Sequence, residues 1–125
     1  MIMKNKIEIN EEVTYLSDLS DILNKQYAYA YTITITNQGD TGAQLRTWRW
    51  LIQDESGETE EVIGEGVIGQ QPHLSPGESF KYSSGAIIST ETGTMKGSYG
   101  MISDLGHRFD ADIPEFTLSE PRTLH

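Results

Sequence analysis

Six consecutive residues, Gly64-Glu65-Gly66-Val67-Ile68-Gly69, satisfy the spacing G-x-G-x-x-G. In a dinucleotide-binding fold the first such glycine makes a tight turn and the second lets backbone amides approach a pyrophosphate. A helix N-terminus just beyond then supplies further unpaired N–H groups. Gly64, Gly66 and Gly69 are therefore the candidate phosphate-binding residues, for a nucleotide or pyrophosphate ligand. The stretch that follows, Gln70-Gln71-Pro72-His73-Leu74-Ser75-Pro76-Gly77, opposes a helix with two prolines and no helical periodicity, and Glu65 places a negative charge inside the motif. The competing expectation is structural: positive φ, a bulge or close packing at these glycines, with no helix starting at Gly69. Just downstream, Ser75-Pro76-Gly77-Glu78 fits a type II turn that would aim a strand bearing Phe80 and Tyr82 back across the fold.

Other residue types that could do chemistry are scattered. Of His73, His107 and His125, only His107 has acids nearby in the chain, namely Asp104, Asp110 and Asp112. On strand alternation His107 shares the face of Phe109 while Asp110 and Asp112 take the other, so no metal site is assigned. Ser83 and Ser84 lack a G-x-S-x-G elbow, and Ser83-Ser84-Gly85 reads as the end of a strand. Glu60 and Glu61 are indistinguishable from surface charge. No catalytic residue and no cofactor are assigned, and the chain is expected not to be an enzyme. Trp48 and Trp50 read as core and half-core aromatics, with Trp48 the candidate for a partner-binding face, where exposed Trp is enriched.

The bulk properties narrow the class of partner. Nine Lys and Arg against nineteen Asp and Glu give the 125-residue chain a formal charge of −10, which opposes nucleic acid and anionic lipid. There is no cysteine, which removes disulfides and thiolate chemistry. The start, Met1-Ile2-Met3-Lys4-Asn5-Lys6, has no apolar run behind its lysines, and no stretch is long enough to span a bilayer as a helix. An acidic cytoplasmic protein without a membrane segment is the expectation, in one domain over residues 1–125.

The elements that must position these residues read as strands. Ile7, Ile9, Val13 and Tyr15 occupy odd positions, with Glu11 interrupting them at an expected bulge. Ser17 to Lys25 is at most a turn, its Leu19, Ile22 and Leu23 being too few for a stable helix. Tyr27 to Asn37 alternates cleanly, and Gln44 to Gln53 places Trp48, Trp50 and Ile52 on one face with Leu45 and Leu51 on the other, as suits an inner strand. A hairpin at Asp54–Glu58 returns through Thr59 to Ile63. Later strands carry Phe80 and Tyr82, then Met95, Tyr99 and Met101, then Phe109, Ala111 and Ile113, with Pro114 and Pro121 bracketing a last piece around Phe116 and Leu118. About seven or eight short strands and no helix predict an all-β antiparallel sandwich.

Read together, Gly64-Glu65-Gly66-Val67-Ile68-Gly69-x-Gln71-Pro72, Leu74-x-Pro76-Gly77-Glu78, Tyr82-x-Ser84-Gly85 and Gly93-x-Met95-x-Gly97-x-Tyr99-x-Met101 resemble the ApaG family. The likeness extends from Tyr31-Thr32-Ile33-Thr34-Ile35 and Trp50 to Asp112-Ile113-Pro114-x-Phe116-x-Leu118, nearly the whole chain. It implies a fibronectin type III-like or immunoglobulin-like sandwich and a non-catalytic module for an unknown protein partner. Bacterial members resemble small stand-alone proteins encoded beside a diadenosine tetraphosphate hydrolase, and the resemblance separately implies a link to cobalt resistance and magnesium efflux. Where many members have Arg-x-Trp ending at Trp50, this chain has Trp48-Arg49-Trp50, so the resemblance implies Arg49 beside Trp48 as the partner-binding arginine, with Arg46 the alternative, each differing from the family's arginine in position or in face.

Overall fold

The structure, a computed structural model, describes residues 5–120. Met1–Lys4, Pro121 and His125 lie outside the described residues. Among the described residues, eight strands form two antiparallel sheets: β1 (Ile7–Tyr15), β2 (Tyr27–Asn37) and β6 (Ser79–Ile88) in the order β1-β2-β6, and β3 (Ala43–Asp54), β4 (Thr59–Glu65), β7 (Gly93–Ser103) and β8 (Arg108–Leu118) in the order β4-β3-β7-β8. A two-residue β5 (His73–Leu74), which the sequence did not suggest, adds to β3 at Ala43 and Gln44. The result is the predicted antiparallel β-sandwich.

Alternation on each strand aims one set of side chains between the sheets. Tyr29, Tyr31, Ile33 and Ile35 of β2 meet Trp50, Met95, Tyr99, Ile113 and Phe116 of the other sheet in one buried cluster. Trp50 sits at its centre, edge-on to Tyr31 at 5.4 Å and to Phe116 at 5.9 Å between ring centroids.

Several local expectations are corrected. The β3–β7 register skips a residue between Leu45 and Thr47, so Arg46 is a bulge. It shifts the phase of the strand and puts Leu45 in the same core as Trp50, not on the opposite face. Likewise β8 runs unbroken through Pro114, because the register shift between Met95 and Gly97 gives β8 an extra residue there and a bulge tolerates a residue with no N–H. That shift is why Ala111 and Ile113, then Phe116 and Leu118, are all buried. Conversely, no bulge occurs at Glu11, which pairs with Ile33 in unbroken register. Ser83-Ser84-Gly85 is the middle of β6 and not its end, with Ser83 and Thr32 sharing a hydroxyl hydrogen bond of 2.7 Å.

Ser17–Leu19 and Ile22–Asn24 form two single 3₁₀ turns. Ser20 holds them to the sheet, its Oγ donating to the Leu16 carbonyl at 2.8 Å and accepting from the Ala28 amide at 2.9 Å. The turn at Ser75–Glu78 is present, closed by the Glu78 amide donating to the Ser75 carbonyl at 2.9 Å, and it carries the chain from β5 into β6 of the other sheet.

Candidate functional site

The glycine motif forms the end of β4 and a tight hairpin beyond it. Gly64 faces Trp48 across the β3–β4 pair, and a Cβ at Gly64 would overlap the Trp48 ring. Past Glu65 the chain doubles back between Val67 and Gln70, whose amides and carbonyls exchange hydrogen bonds of 2.7 and 3.0 Å. The two residues at the tip, Ile68 at φ 50° and Gly69 at φ 71°, are both left-handed, the pattern of a type I′ turn. Gly66, at φ 65°, leaves no room for a Cβ, which would lie 2.6 Å from the Gln70 carbonyl oxygen. The three glycines thus serve aromatic packing, a close backbone approach and a turn tip respectively. No helix follows Gly69, as the proline-rich continuation predicts.

Amide usage in the hairpin is specific. Gly66 donates to the Arg46 carbonyl at 2.9 Å, and Val67 and Gln70 donate to each other's carbonyls. Ile68 stands out: a β-branched residue in left-handed backbone costs about 1–2 kcal/mol relative to glycine, and here it projects with 64% of its surface exposed. Type I′ tips favour Asn-Gly or Gly-Gly, which is why Ile68-Gly69 gave no turn signal in the sequence.

Behind the tip, Tyr31, Trp48, Trp50, Ile68 and Tyr82 line a cavity of about 120 Å³ between the two sheets. Its aromatic walls suit an aliphatic or aromatic group and offer no acid–base chemistry at neutral pH. Burial pushes the Tyr82 hydroxyl up to about 12, against a partly opposing hydrogen bond from Tyr99, whose oxygen lies 2.5 Å away. Tyr99 itself is raised further, again by burial first and then by the charge Tyr82 would carry.

These shifts set an alkaline limit on stability. An unfolded tyrosine loses its proton near pH 10 while the buried one keeps it, so above pH 10 the unfolded chain binds fewer protons and stability falls. The contribution is fully present below pH 10 and is lost as pH rises through 12. Tyr82 alone then removes about 2–3 kcal/mol between pH 10 and 12, at about 1.4 kcal/mol per unit. Urea midpoints followed by tryptophan fluorescence should fall steeply above pH 10, less so in Tyr82→Phe; a flat midpoint from pH 9 to 12 would contradict this protonation scheme.

Trp48 and Arg49 border one shallow hollow together with Thr47, Ile63 and Asp110, but their side chains are held differently. Trp48 packs half-buried against the inner cluster, whereas Arg49, next along the strand, takes the outer face and is held by Glu61, with Nη2 2.6 Å and Nε 2.8 Å from Oε2. The histidines also separate. Asp104 lies 2.7 Å from His73 Nε2 and not beside His107, a pairing that the short β5 makes possible. Among the described residues no three His, Asp or Glu side chains stand close enough to hold a metal ion. What the sequence missed is the participation of Ile68, Tyr31 and Tyr82, which come from three separate segments.

Comparison with known proteins adds the lineage. A family described as the ApaG domain matches residues 17–103. Protein ApaG of Nitrosomonas eutropha is 52% identical over 122 residues, covering 98% of this chain and 96% of that protein. Protein ApaG of Pseudomonas putida is 50% identical over 120 residues, covering 96% and 95%. The crystal structure of an ApaA protein from Bordetella pertussis superposes with a TM-score of 0.93 at 40% identity, covering 98% of this chain and all of that one. On this breadth of sequence match, with the glycine hairpin inside the matched span, the chain belongs to the ApaG domain family.

Proposed function

We propose that the chain is a non-catalytic recognition module of the cytoplasm whose glycine hairpin and aromatic cleft grip a protein partner. The observation that carries this reading is Ile68: a strained, largely exposed isoleucine at the hairpin tip, beside a cleft walled by two tryptophans and two tyrosines. Backbone strain retained at an exposed apolar tip costs stability with no packing return within the chain, and Trp and Tyr dominate the energetics of protein interfaces. A partner inserting one aliphatic side chain beside Ile68 would draw on both. The proposal extends to cobalt resistance and magnesium efflux, reached through the partner, as the sequence resemblance implies.

Ile68→Gly separates stability from recognition. Removing the left-handed strain outweighs the added freedom of the unfolded glycine, so the variant should gain about 1 kcal/mol and melt about 3–5 °C higher. Recovery of a stoichiometric partner from native cytosol should fall sharply with it and with Trp48→Ala. A partner retained undiminished by both variants would refute the assignment of this surface.

An alternative places a nucleotide or pyrophosphate on Gly64, Gly66 and Gly69. It is favoured by one feature, the tip amides of Ile68 and Gly69, which have no acceptor among the described residues. Calorimetry with a dinucleoside polyphosphate tests it: saturable heat accompanied by NMR shifts of the Ile68 and Gly69 amides would favour it, and no heat at millimolar ligand would eliminate it.

A further inference from the structure

On the outer face of the five-stranded sheet, away from the glycine hairpin's aromatic cleft, the strands build a second concavity. Thr47, Gly100 and Asp110 form one rung across β3, β7 and β8. The middle residue has no side chain, and a Cβ there would overlap the Thr47 hydroxyl. The missing side chain opens a floor between the two flanking strands, and the cavity over it measures about 420 Å³. Ligand pockets begin at about 300 Å³.

Two arginines line it. Arg46 is the extra residue of the β3 bulge, and Arg108 opens β8 opposite Ile102. In a chain with nineteen acids and only nine Lys and Arg, carboxylates are abundant, and Arg49 on the same face has taken Glu61. Yet among the described residues neither the Arg46 nor the Arg108 guanidinium has an ion-pair or hydrogen-bond partner. Asp110, which lines the same cavity, is paired with neither of them. The guanidinium fork suits the oxygens of a phosphate, and a hydroxyl such as that of Thr47 adds a donor.

We infer that this cavity binds a phosphate-type oxyanion carried on a small polar molecule. Arg46 and Arg108 hold the anion over Gly100, and Asp110 accepts from a hydroxyl or ammonium group of the same molecule. Asp110 makes the site selective: it repels a bare dianion and rewards a ligand that brings its own donor.

Amide NMR titrations with inorganic phosphate and with O-phosphoethanolamine test the assignment. Both probes should shift Thr47, Gly100 and Asp110 saturably, O-phosphoethanolamine at lower concentration. Arg46→Ala and Arg108→Ala should each weaken binding about tenfold, the worth of one charge-assisted hydrogen bond. Asp110→Asn should tighten inorganic phosphate and erase the advantage of O-phosphoethanolamine. Should Arg46→Ala fail to fold, Arg46→Lys, which keeps the charge but not the fork, should still weaken binding several-fold. Shifts confined to Ile68 and Gly69 would move the anion to the hairpin and overturn the inference, as would linear, unsaturated shifts at tens of millimolar probe.

Discussion

Asn37→Ala is expected to cost about 3–5 kcal/mol, a large share of the roughly 5–15 kcal/mol that holds a domain folded. The Asn37 side chain is 1% exposed and every polar atom it has is used. Its Nδ2 donates to the carbonyls of Thr41 and Leu74, both at 2.9 Å, and its Oδ1 accepts from the Gly39 amide at 2.9 Å. Its own backbone donates to the Glu78 carbonyl at 3.0 Å and accepts from the Gly77 amide at 2.8 Å. One residue at the end of β2 therefore fastens the connection into β3, the edge strand β5 and the turn that crosses between the sheets. Alanine would leave the Leu74 carbonyl buried without its donor, at about 1–3 kcal/mol, and would add a small cavity. Asn37→Asp should be about as harmful, since a carboxylate oxygen would then face two carbonyl oxygens. Urea unfolding at pH 7 measures both; a loss below about 1 kcal/mol for Asn37→Ala would show that water replaces the amide at little cost.

Asn37 also illustrates what the sequence could and could not disclose. The alternation from Tyr27 to Asn37 defines β2 to the residue, because a strand with one face in the core must place bulk at every second position. The same alternation shows Asn37 only as the last residue of the strand. Its role depends on Leu74 and Glu78, which come into reach only after the chain has run through β3, β4 and the glycine hairpin.

Phase errors have a related cause. Alternation is a local rule, and each bulge resets it without a compositional mark: Arg46 is an ordinary strand residue until its pairing with β7 is known. Pro114 did mark its bulge, yet proline signals a strand end as readily as an interruption within one. The motif glycines were legible as structural because the proline-rich stretch after Gly69 rules out the helix a phosphate loop needs. The strain at Ile68 was not, since nothing in an isoleucine announces positive φ. The pairing of Arg46 with Arg108 across one cavity needed both the bulge and the β7–β8 register.

The placement of the two cavities follows from one strand pair. β3 and β7 turn Trp48, Trp50 and Tyr99 inward and Thr47, Arg49 and Gly100 outward, so the aromatic cleft and the arginine cavity share the same backbone. A change that separates these strands should damage both.

Gly97→Ala is that change. Gly97 lies in the middle of β7, opposite Trp50 of β3 and Ile113 of β8. A Cβ there would overlap the Arg49 carbonyl oxygen and come within 3.2 Å of the Trp50 Cα. Both neighbours are backbone, so no side chain can rotate away. Relief requires β3 to move outward or its hydrogen bonds to β7 to lengthen, and either loosens the Trp50 contacts with Tyr31 and Phe116. We expect a loss of about 3 kcal/mol, at the upper end for overpacking because the clash is with a central strand. Gly100→Ala, three residues along on the same strand, is the control. Its Cβ would meet the Thr47 hydroxyl, the end of a side chain that can turn aside. It should cost under about 1 kcal/mol, because the backbone need not move. It should also narrow the arginine cavity and weaken phosphate binding while sparing partner capture at the hairpin, whereas Gly97→Ala should impair both. Equal stability losses in the two variants would mean that β3 and β7 separate easily at Gly97, and that the close approach there is not what fixes their spacing.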